Sequence, residues 1–108
     1  MPTVISPILV KLRTVLDAID GERIERIVLY GSQARGDAQP DSDYDVAVFL
    51  KGMNGISDRW TEADKIAVAA TNILNETGAV IHAMPYRADT YFERTPLMHE
   101  IRREGLDL

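Results

Sequence analysis

Two aspartates separated by one residue, Asp43 and Asp45, are the side chains of this sequence best suited to chemistry. They open an apolar run that ends at Leu50 and is typical of a β-strand, in which alternate side chains point to the same face. Two carboxylates on one face can share one or two hard cations such as Mg²⁺. Without a cation or hydrogen-bond donors they would be costly to desolvate, so we favour a metal site over a solvated strand edge.

Gly31 and Ser32 follow a β-branched and aliphatic segment, Ile24 to Tyr30, that predicts a strand covered on both faces. Glycine allows a sharp bend, and serine is a good N-cap for a short helix whose first amides would be free to hold an anion. Alone, this pair predicts an ordinary turn. Facing Asp43 and Asp45, it predicts a site for a nucleoside triphosphate with magnesium.

Two further polar residues are assigned to the nucleotide-binding side of this site, Arg35 and Ser42. Arg35 could neutralise a triphosphate or pair with Asp37 at the surface, and the sequence leaves both alternatives open. The hydroxyl of Ser42 could orient the carboxylate of Asp43 or accept a hydrogen bond from a loop amide, and we favour a supporting role. The intervening loop is polar, and Pro40 excludes it from regular structure.

Three short motifs together carry a resemblance to a known family: Gly31-Ser32, Ala34-Arg35-Gly36 and Ser42-Asp43-x-Asp45. In this order they resemble the signature of the polymerase-beta-like nucleotidyltransferases, in the small branch called minimal nucleotidyltransferases, or MNT domains. The resemblance extends more weakly over nearly the whole chain. It implies that Gly31 and Ser32 bind the phosphates of ATP or another triphosphate, and that Asp43 and Asp45 are catalytic and hold two Mg²⁺ ions.

The resemblance also implies a reaction and a partner. The reaction is transfer of a nucleoside monophosphate, with AMP as the first candidate, to a hydroxyl group with release of pyrophosphate. Free-standing MNT proteins of this size are typically encoded with a small helical HEPN ribonuclease, as antitoxin to its toxin, and some adenylylate a tyrosine of that partner. Aminoglycoside nucleotidyltransferases share the fold class but carry an additional helical domain, so the resemblance favours an antitoxin.

The third predicted strand, about Ala79 to Tyr86, departs from the family pattern. Members of the family usually carry a third carboxylate there, which binds one metal and helps deprotonate the attacking hydroxyl. Here the polar side chain is His82, which could be a substitute base, a weak metal ligand or a partly buried histidine, and we favour the last. Losing a catalytic base can cost on the order of 100- to 10,000-fold in rate, so a catalytically weak or inactive antitoxin that acts by direct binding stays the alternative.

The rest of the chain predicts the elements that must position these residues, in the order helix, strand, short helix, strand, helix, strand, helix. The architecture expected is α/β (α+β), a nucleotidyltransferase fold with a small mixed sheet flanked by helices, as a single domain over residues 1–108. The predicted helix limits are Ser6-Pro7 to Asp20 before Gly21, Ser57-Asp58 to Gly78, and Thr95-Pro96 to Glu104 before Gly105.

Helical spacing predicts one inward stripe on each of the three longer helices. For Trp60 we favour a core or partner contact over a place beside the nucleotide, and we expect His99 at the surface. The stripes are Ile8, Leu9, Leu12, Val15, Leu16 and Ile19; then Trp60, Ala63, Ile66, Ala67, Ala70, Ile73 and Leu74; then Leu97, Met98 and Ile101.

Composition excludes several classes of function. A formal net charge of -5 argues against broad nucleic-acid binding through a basic surface, and the absence of cysteine excludes disulfides and thiolate zinc sites. No apolar run approaches the roughly 20 residues of a membrane helix, and no signal peptide is evident, so we expect a cytoplasmic protein without a membrane contact. With 108 residues, the chain has little room for an acceptor pocket. The acceptor site would then come from a partner or from a second copy in a homo-oligomer.

Overall fold

A computed structural model describes residues 6–39 and 42–108. The irregular structure predicted at Pro40 lies outside the described residues. Within these residues, four helices and three strands follow one another in the expected order, and two 3-10 turns and a short fourth strand accompany them. The elements are α1 (Pro7–Asp20), a 3-10 turn (Gly21–Arg23), β1 (Ile24–Tyr30), α2 (Ser32–Arg35), β2 (Tyr44–Leu50), α3 (Gly55–Thr77), β3 (Ile81–Arg87), a second 3-10 turn (Ala88–Phe92), α4 (Pro96–Glu104) and β4 (Leu106–Asp107).

The sheet has the strand order β3-β2-β1-β4 and is mixed, as predicted. β1 runs antiparallel to β2 with Tyr30 opposite Asp45, and β2 runs parallel to β3 with Asp45 opposite His82. The two-residue strand β4 was not predicted, and it pairs antiparallel with β1 beside Leu29. Tyr30, Asp45 and His82 are therefore lateral neighbours on three adjacent strands.

Each face of the sheet has its own apolar core, as the alternation along β2 predicts. Val46, Val48 and Leu50 point to the face covered by α1 and α3. Ala47 and Phe49 point to the other face, where they pack against α4 and the second 3-10 turn. Asp45 lies on this second face, because it is two residues before Ala47.

The first and last helices begin and end as the sequence predicts. Ser6 Oγ accepts a hydrogen bond from the Leu9 amide at 3.2 Å, and Pro7 is the first helical residue of α1. Thr95 Oγ1 accepts from the Met98 amide, also at 3.2 Å, at the start of α4. In both cases the hydroxyl of the N-cap residue accepts a hydrogen bond from an amide that has no partner within the helix. The proline that follows has no N–H to donate, and none is needed at the first helical position.

The predicted start of α3 is wrong by three residues. The helix begins at Gly55 with Asn54 as N-cap, and Ser57 and Asp58 lie inside the first turn. Asp58 Oδ2 accepts a hydrogen bond from the Asn54 amide at 2.9 Å. The Asp58 carboxylate thus caps the helix start from within the first turn. From the sequence alone, an aspartate in this role looks the same as an aspartate at the start of a helix. The predicted end at Gly78 is confirmed, in the left-handed conformation typical of this position.

The inward stripe predicted for α3 is only partly correct. Trp60 is 66% exposed, and Leu74 and Ala67 are exposed as well. The buried side chains are Ile66, Ala69 and Ile73, together with Glu62 at 1% exposure. The helix is turned so that its buried face includes a charged residue, which apolar periodicity cannot indicate. In α4, Leu97 is also exposed, whereas Met98 and Ile101 are buried as predicted.

A buried charge cluster connects α3 to the end of α1. Glu62 Oε2 lies 2.7 Å from an Arg23 nitrogen and 2.9 Å from Lys65 Nζ, which is 3.0 Å from Asp20 Oδ1. Asp20 Oδ2 and Glu62 Oε1 are buried and have no hydrogen-bond partner among the described residues. Burial and the neighbouring Asp20 carboxyl raise the pKa of Glu62, while Lys65 opposes the change. A proton held on Glu62 would satisfy both oxygens.

The raised pKa of Glu62 predicts a pH-dependent stability. Because the folded chain holds this proton more tightly than the unfolded chain, the free energy of unfolding should fall as pH rises above about 4.5. The variant Glu62→Gln carries an uncharged donor and should lack this fall, so its stability relative to the parent protein should increase from pH 4 to pH 7. Urea unfolding followed by circular dichroism at several pH values measures this difference. Glu76→Gln, which removes an exposed carboxylate paired with Lys11, is the control. Parallel stability curves for parent and Glu62→Gln would contradict the prediction.

Gly105 predicts a second stability effect, because α4 approaches β1 closely at this residue. A Cβ at Gly105 would lie 2.3 Å from the Ile101 carbonyl oxygen and 2.3 Å from Val28 Cγ1. Gly105→Ala should lower the free energy of unfolding by about 1–3 kcal/mol through overpacking. Gly21→Ala, where a Cβ meets no atom within 4 Å, is the matched control and should change stability much less. Thermal unfolding of both variants checks the difference, and equal melting temperatures would refute it.

No helix of the described residues combines the length and apolar character needed to cross a membrane.

Candidate active site

Gly31 connects β1 to α2 through a bend that only glycine adopts easily. Its φ of 74° and ψ of -157° lie outside the regions open to other residues, and it is the N-cap of the four-residue helix. Ser32, predicted as the N-cap, is instead the first helical residue. The Ala34 and Arg35 amides donate hydrogen bonds to the Gly31 carbonyl at 3.1 and 3.0 Å. These bonds make Gly31 the N-cap and Ser32 the first helical residue. The two earlier amides of α2 have no acceptor within the helix, as at any helix start.

The carboxylate of Asp45 lies directly against Gly31. A Cβ built on Gly31 would lie 2.6 Å from Asp45 Oδ2, a separation that real Cβ atoms essentially never show. The carboxylate thus occupies space that is available only because residue 31 lacks a side chain. The structure therefore brings the glycine bend and the second aspartate together, as the motifs predict.

Asp43 lies one residue before β2 and contacts β3. Its Oδ2 is 2.8 Å from His82 Nε2, and the His82 side chain is 61% exposed. The prediction that His82 is partly buried is wrong: β3 is an edge strand of the sheet, and on this face of β3 it is Tyr86 and not His82 that packs against the core. His82 is nevertheless the β3 residue opposite Asp45, so it stands beside both aspartates.

Ser42 supports the loop before the aspartates. Its hydroxyl accepts a hydrogen bond from the Gln39 amide at 2.8 Å, which is the second of the two alternatives for this residue. Its carbonyl accepts from Gln33 Nε2 at 2.9 Å, so α2 is connected to the chain just before Asp43. Gln33 was not predicted to contribute to the site, because nothing in a single amide side chain indicates a partner nine residues away.

Arg35 forms the surface ion pair that was one of its two alternatives. Its Nε lies 3.2 Å from Asp37 Oδ2, and a terminal nitrogen lies 3.3 Å from Glu104 Oε2 at the end of α4. Both carboxylates raise the pKa of this guanidinium. A role of Arg35 toward a triphosphate stays a prediction, since its side chain is about two-fifths exposed and exposed pairs of this kind are weak.

Tyr30 is a further residue of the site, and it was not predicted from the sequence. It is the β1 partner of Asp45 and is half-buried. Burial raises the pKa of Tyr30 to about 12, with smaller contributions from Tyr86, Asp45 and Glu100. Its phenol is therefore neutral at physiological pH, and its hydroxyl can act as a hydrogen-bond donor beside the aspartates.

The donor set fits a magnesium ion only if other ligands come with it. In the described ranges, no three histidine, aspartate or glutamate side chains lie close enough together to hold a metal. Mg²⁺ is, however, usually bound through one or two carboxylates, with water and substrate phosphates as the remaining ligands. Asp43 and Asp45 are therefore sufficient for an ion that arrives with a triphosphate, and insufficient for a site made by protein alone.

The family model described as the nucleotidyltransferase domain matches residues 9–96. This range includes β1, the Gly31 bend, both aspartates, α3 and β3, and it is well over half of the chain. The chain belongs to the nucleotidyltransferase domain family, and the resemblance seen in the sequence is confirmed. A comparison with curated proteins found no match.

Solved structures with the same fold include toxin–antitoxin proteins. A mutant of the toxin–antitoxin MntA–HpeT has a TM-score of 0.61 at 16% identity, covering 90% of this chain and 68% of the other. A toxin–antitoxin with AMP-PNP has a TM-score of 0.61 at 18% identity, with coverages of 90% and 68%. A candidate nucleotidyltransferase from Sulfolobus solfataricus has a TM-score of 0.58 at 14% identity, covering 93% and 80%. At these identities the likeness shows the fold.

The contact between Gly31 and Asp45 predicts the effect of one added methyl group. Gly31→Ala should displace the Asp45 carboxylate and reduce the affinity for magnesium with a non-hydrolysable ATP analogue by at least about tenfold, as measured by calorimetry. Gly36→Ala is the matched control, because Gly36 also has a positive φ, of 84°, but a Cβ there meets no atom within 4 Å. Gly36→Ala should lose about 1 kcal/mol of stability from its left-handed backbone, and Gly31→Ala should lose more, because the φ and ψ of Gly31 lie in a region that other residues rarely adopt. Equal affinities for the two variants would show that the close contact does not matter for binding.

Proposed function

We propose that this chain binds a magnesium-bound nucleoside triphosphate, with ATP as the first candidate, and transfers AMP to a hydroxyl group of a partner protein. The observation that carries the proposal is the Asp45 carboxylate held against the Gly31 bend, with Asp43 within hydrogen-bond distance of His82, the β3 neighbour of Asp45. In the proposed site, the two carboxylates supply oxygen donors for a metal, and the free amides at the start of α2 supply donors for the phosphates. Membership of the nucleotidyltransferase domain family supports the same reaction class.

Each proposed site residue has one role. Gly31 and Ser32 hold the phosphates through the bend and the first amides of α2. Asp43 and Asp45 are the catalytic carboxylates and hold the metal, as one or two ions. When bound, magnesium neutralises charge on the triphosphate and on the departing pyrophosphate. Arg35 adds positive charge at the end of α2.

Ser42 and Gln33 act one step further from the reacting atoms. Their hydrogen bonds to the loop before β2 fix the backbone from which Asp43 projects. The proposed position of Asp43 therefore depends on α2 as well as on β2.

The transfer itself is a single displacement at the α-phosphorus of the nucleotide. The acceptor oxygen forms a bond to this phosphorus, and the bond from phosphorus to the oxygen bridging the α- and β-phosphates breaks. Pyrophosphate leaves with the bonding electrons, and the proton of the acceptor hydroxyl passes to water or to a nearby base. The residues of the chain contribute position and charge.

The acceptor in this proposal is a tyrosine of a small helical HEPN toxin, and the chain acts as its antitoxin. Two of the structures that share the fold are toxin–antitoxin proteins, and one of them was solved with AMP-PNP. We place the pair in the cytoplasm, where ATP and magnesium are available. The same proposal has a form without a foreign partner. In that form the chain is a homo-oligomer, and a second copy completes the acceptor site.

One observation favours a second function, neutralisation of the partner by binding alone. The β3 residue beside the aspartates is His82 rather than a carboxylate, and it lies 2.8 Å from Asp43. A site with two acids has fewer metal ligands and lacks the usual carboxylate base. Nucleotide binding would survive this loss, whereas turnover would be slow.

A labelling experiment tests the transfer. The chain is incubated with magnesium, ATP labelled at the α-phosphate and the helical protein encoded beside it, and label on that protein is measured after electrophoresis. Asp43→Asn and Asp45→Asn should reduce labelling by at least about 100-fold, because each removes a metal ligand. Asp17→Asn, an exposed aspartate paired with Arg13 on α1, should label like the parent protein.

The same variants separate the two functions. If they still inhibit the partner while no label appears with any form of the chain, neutralisation by binding is the function. If label appears but the Asn variants transfer it as well as the parent protein, the proposed roles of Asp43 and Asp45 are wrong. If the Asn variants lose both labelling and inhibition while the parent protein and Asp17→Asn keep both, the result supports transfer as the mode of inhibition.

A further inference from the structure

A second concave region lies away from the aspartates, between the start of α3, the end of β3 and the start of α4. It is a groove of about 600 Å³, within the size range of pockets that receive ligand groups or side chains. Its apolar floor includes Met53, Tyr86 and Met98. Because Tyr86 is opposite Phe49 on β2, four residues after Asp45, the groove lies about 13 Å along the strand from the aspartate.

The apolar surface continues beyond the groove along α3. Ile56 lines the groove and is 74% exposed, and Trp60 follows four residues later on the same helical face. Leu97 forms part of the opposite wall and is exposed too. An exposed apolar surface that extends past a pocket is more typical of a protein contact than of a small-molecule site.

A positive charge lies within this apolar surface. Arg59 lines the groove between Ile56 and Trp60, and its guanidinium is 5.8 Å from the centre of the Tyr86 ring. Among the described residues no carboxylate lies within salt-bridge distance of Arg59, whereas the nearby Arg87 is paired with Asp89 at 2.7 Å. A free cation in a chain of formal net charge -5 favours a partner with a carboxylate at this point.

The groove also limits where that carboxylate can lie. Glu93 lines it together with Thr90 and Thr95. A carboxylate on the partner would be repelled at Glu93 and attracted at Arg59. The charges therefore favour an occupant with its apolar side chains toward the floor and its acidic side chains along the α3 wall.

We infer that this groove docks an acidic amphipathic helix of another protein. Apolar side chains of that helix at helical spacing cover Met53, Ile56 and Leu97, and a flanking carboxylate pairs with Arg59. The contact goes beyond nucleotide transfer and does not depend on it, because the groove shares no residue with the aspartate site. It provides a means of holding a protein partner while another part of that partner is presented at Asp45.

A synthetic peptide tests the docking surface without nucleotide. The probe is a helical peptide of about 18 residues with leucines at helical spacing flanked by glutamates, and the comparison peptide carries lysines at the glutamate positions. Trp60 is the only tryptophan of the chain, so its fluorescence reports directly on the patch. The acidic peptide should shift this emission to shorter wavelength and bind at least about tenfold more tightly than the basic peptide.

Four variants make the test specific. Ile56→Asp should weaken binding of the acidic peptide by about tenfold or more, and Arg59→Glu should reverse the preference between the two peptides. Val68→Asp is the matched control, because Val68 is 61% exposed on α3 but outside the groove, and it should bind like the parent protein. Asp45→Asn should also bind like the parent protein, so failure of the proposed transfer leaves this test unaffected.

Three outcomes would overturn the inference. The first is equal affinity for the two peptides, and the second is a Val68→Asp variant as impaired as Ile56→Asp. The third is a concentration-dependent dimer in sedimentation that Ile56→Asp abolishes, since the occupant would then be a second copy. Amide chemical shifts that move at Ile56, Arg59 and Leu97 with the acidic peptide, and not with the basic one, would support it.

Discussion

The contact between the Asp45 carboxylate and the backbone of Gly31 is the constraint on which the site depends. A residue with a side chain would place its Cβ 2.6 Å from Asp45 Oδ2, so the two positions cannot be changed independently. The same glycine has a positive φ, which turns the chain from β1 into α2. Lack of a side chain therefore does two things at once: it admits the carboxylate, and it permits the backbone bend from which α2 begins.

The sheet fixes this contact because its central strands are buried on both faces. β1 and β2 are antiparallel neighbours with Tyr30 opposite Asp45, and the buried side chains alternate between the two cores. A slip of one residue in β2 would move Asp45 to the face covered by α1 and α3 and would move Val46 and Val48 to the α4 face, so neither core would keep its packing. Burial of the apolar residues thus holds the register of the acidic ones. Rigid strands are well suited to this task, since the proposed metal ligands must stay in place without the metal.

The features that the sequence predicted well are those decided by neighbouring residues. Ser6-Pro7 and Thr95-Pro96 cap their helices through hydroxyls three residues from the bonded amide, and the three long strands follow from β-branched runs with alternation. The Gly31 bend and the aspartate pair were also predictable, because each motif is short and requires particular residue types.

The features that it missed depend on contacts between distant parts of the chain. The strand β4 is two residues long and exists because β1 offers a free edge beside it. The orientation of α3 depends on Glu62, whose buried carboxylate pairs with Arg23 from the turn before β1, while Lys65 on the same helix pairs with Asp20 at the end of α1. The exposure of His82 follows from the place of β3 at the edge of the sheet, which a strand pattern alone does not reveal. These features depend on contacts between residues far apart in the sequence, and local patterns do not predict such contacts.

At the proposed site, the presence of two carboxylates rather than three would determine how the metal and the nucleotide bind. Asp43 and Asp45 supply few of the six oxygen ligands that an octahedral magnesium ion takes, so most of the coordination shell must come from phosphates and water. Under the proposed function, the free energy of metal binding would then depend on the triphosphate, and the ion and the nucleotide would bind as one unit. Gly31 and Ser32 would hold the phosphates, and Asp43 and Asp45 would hold the metal. Such a site would discriminate against magnesium alone, and its occupancy would report the nucleotide rather than the metal.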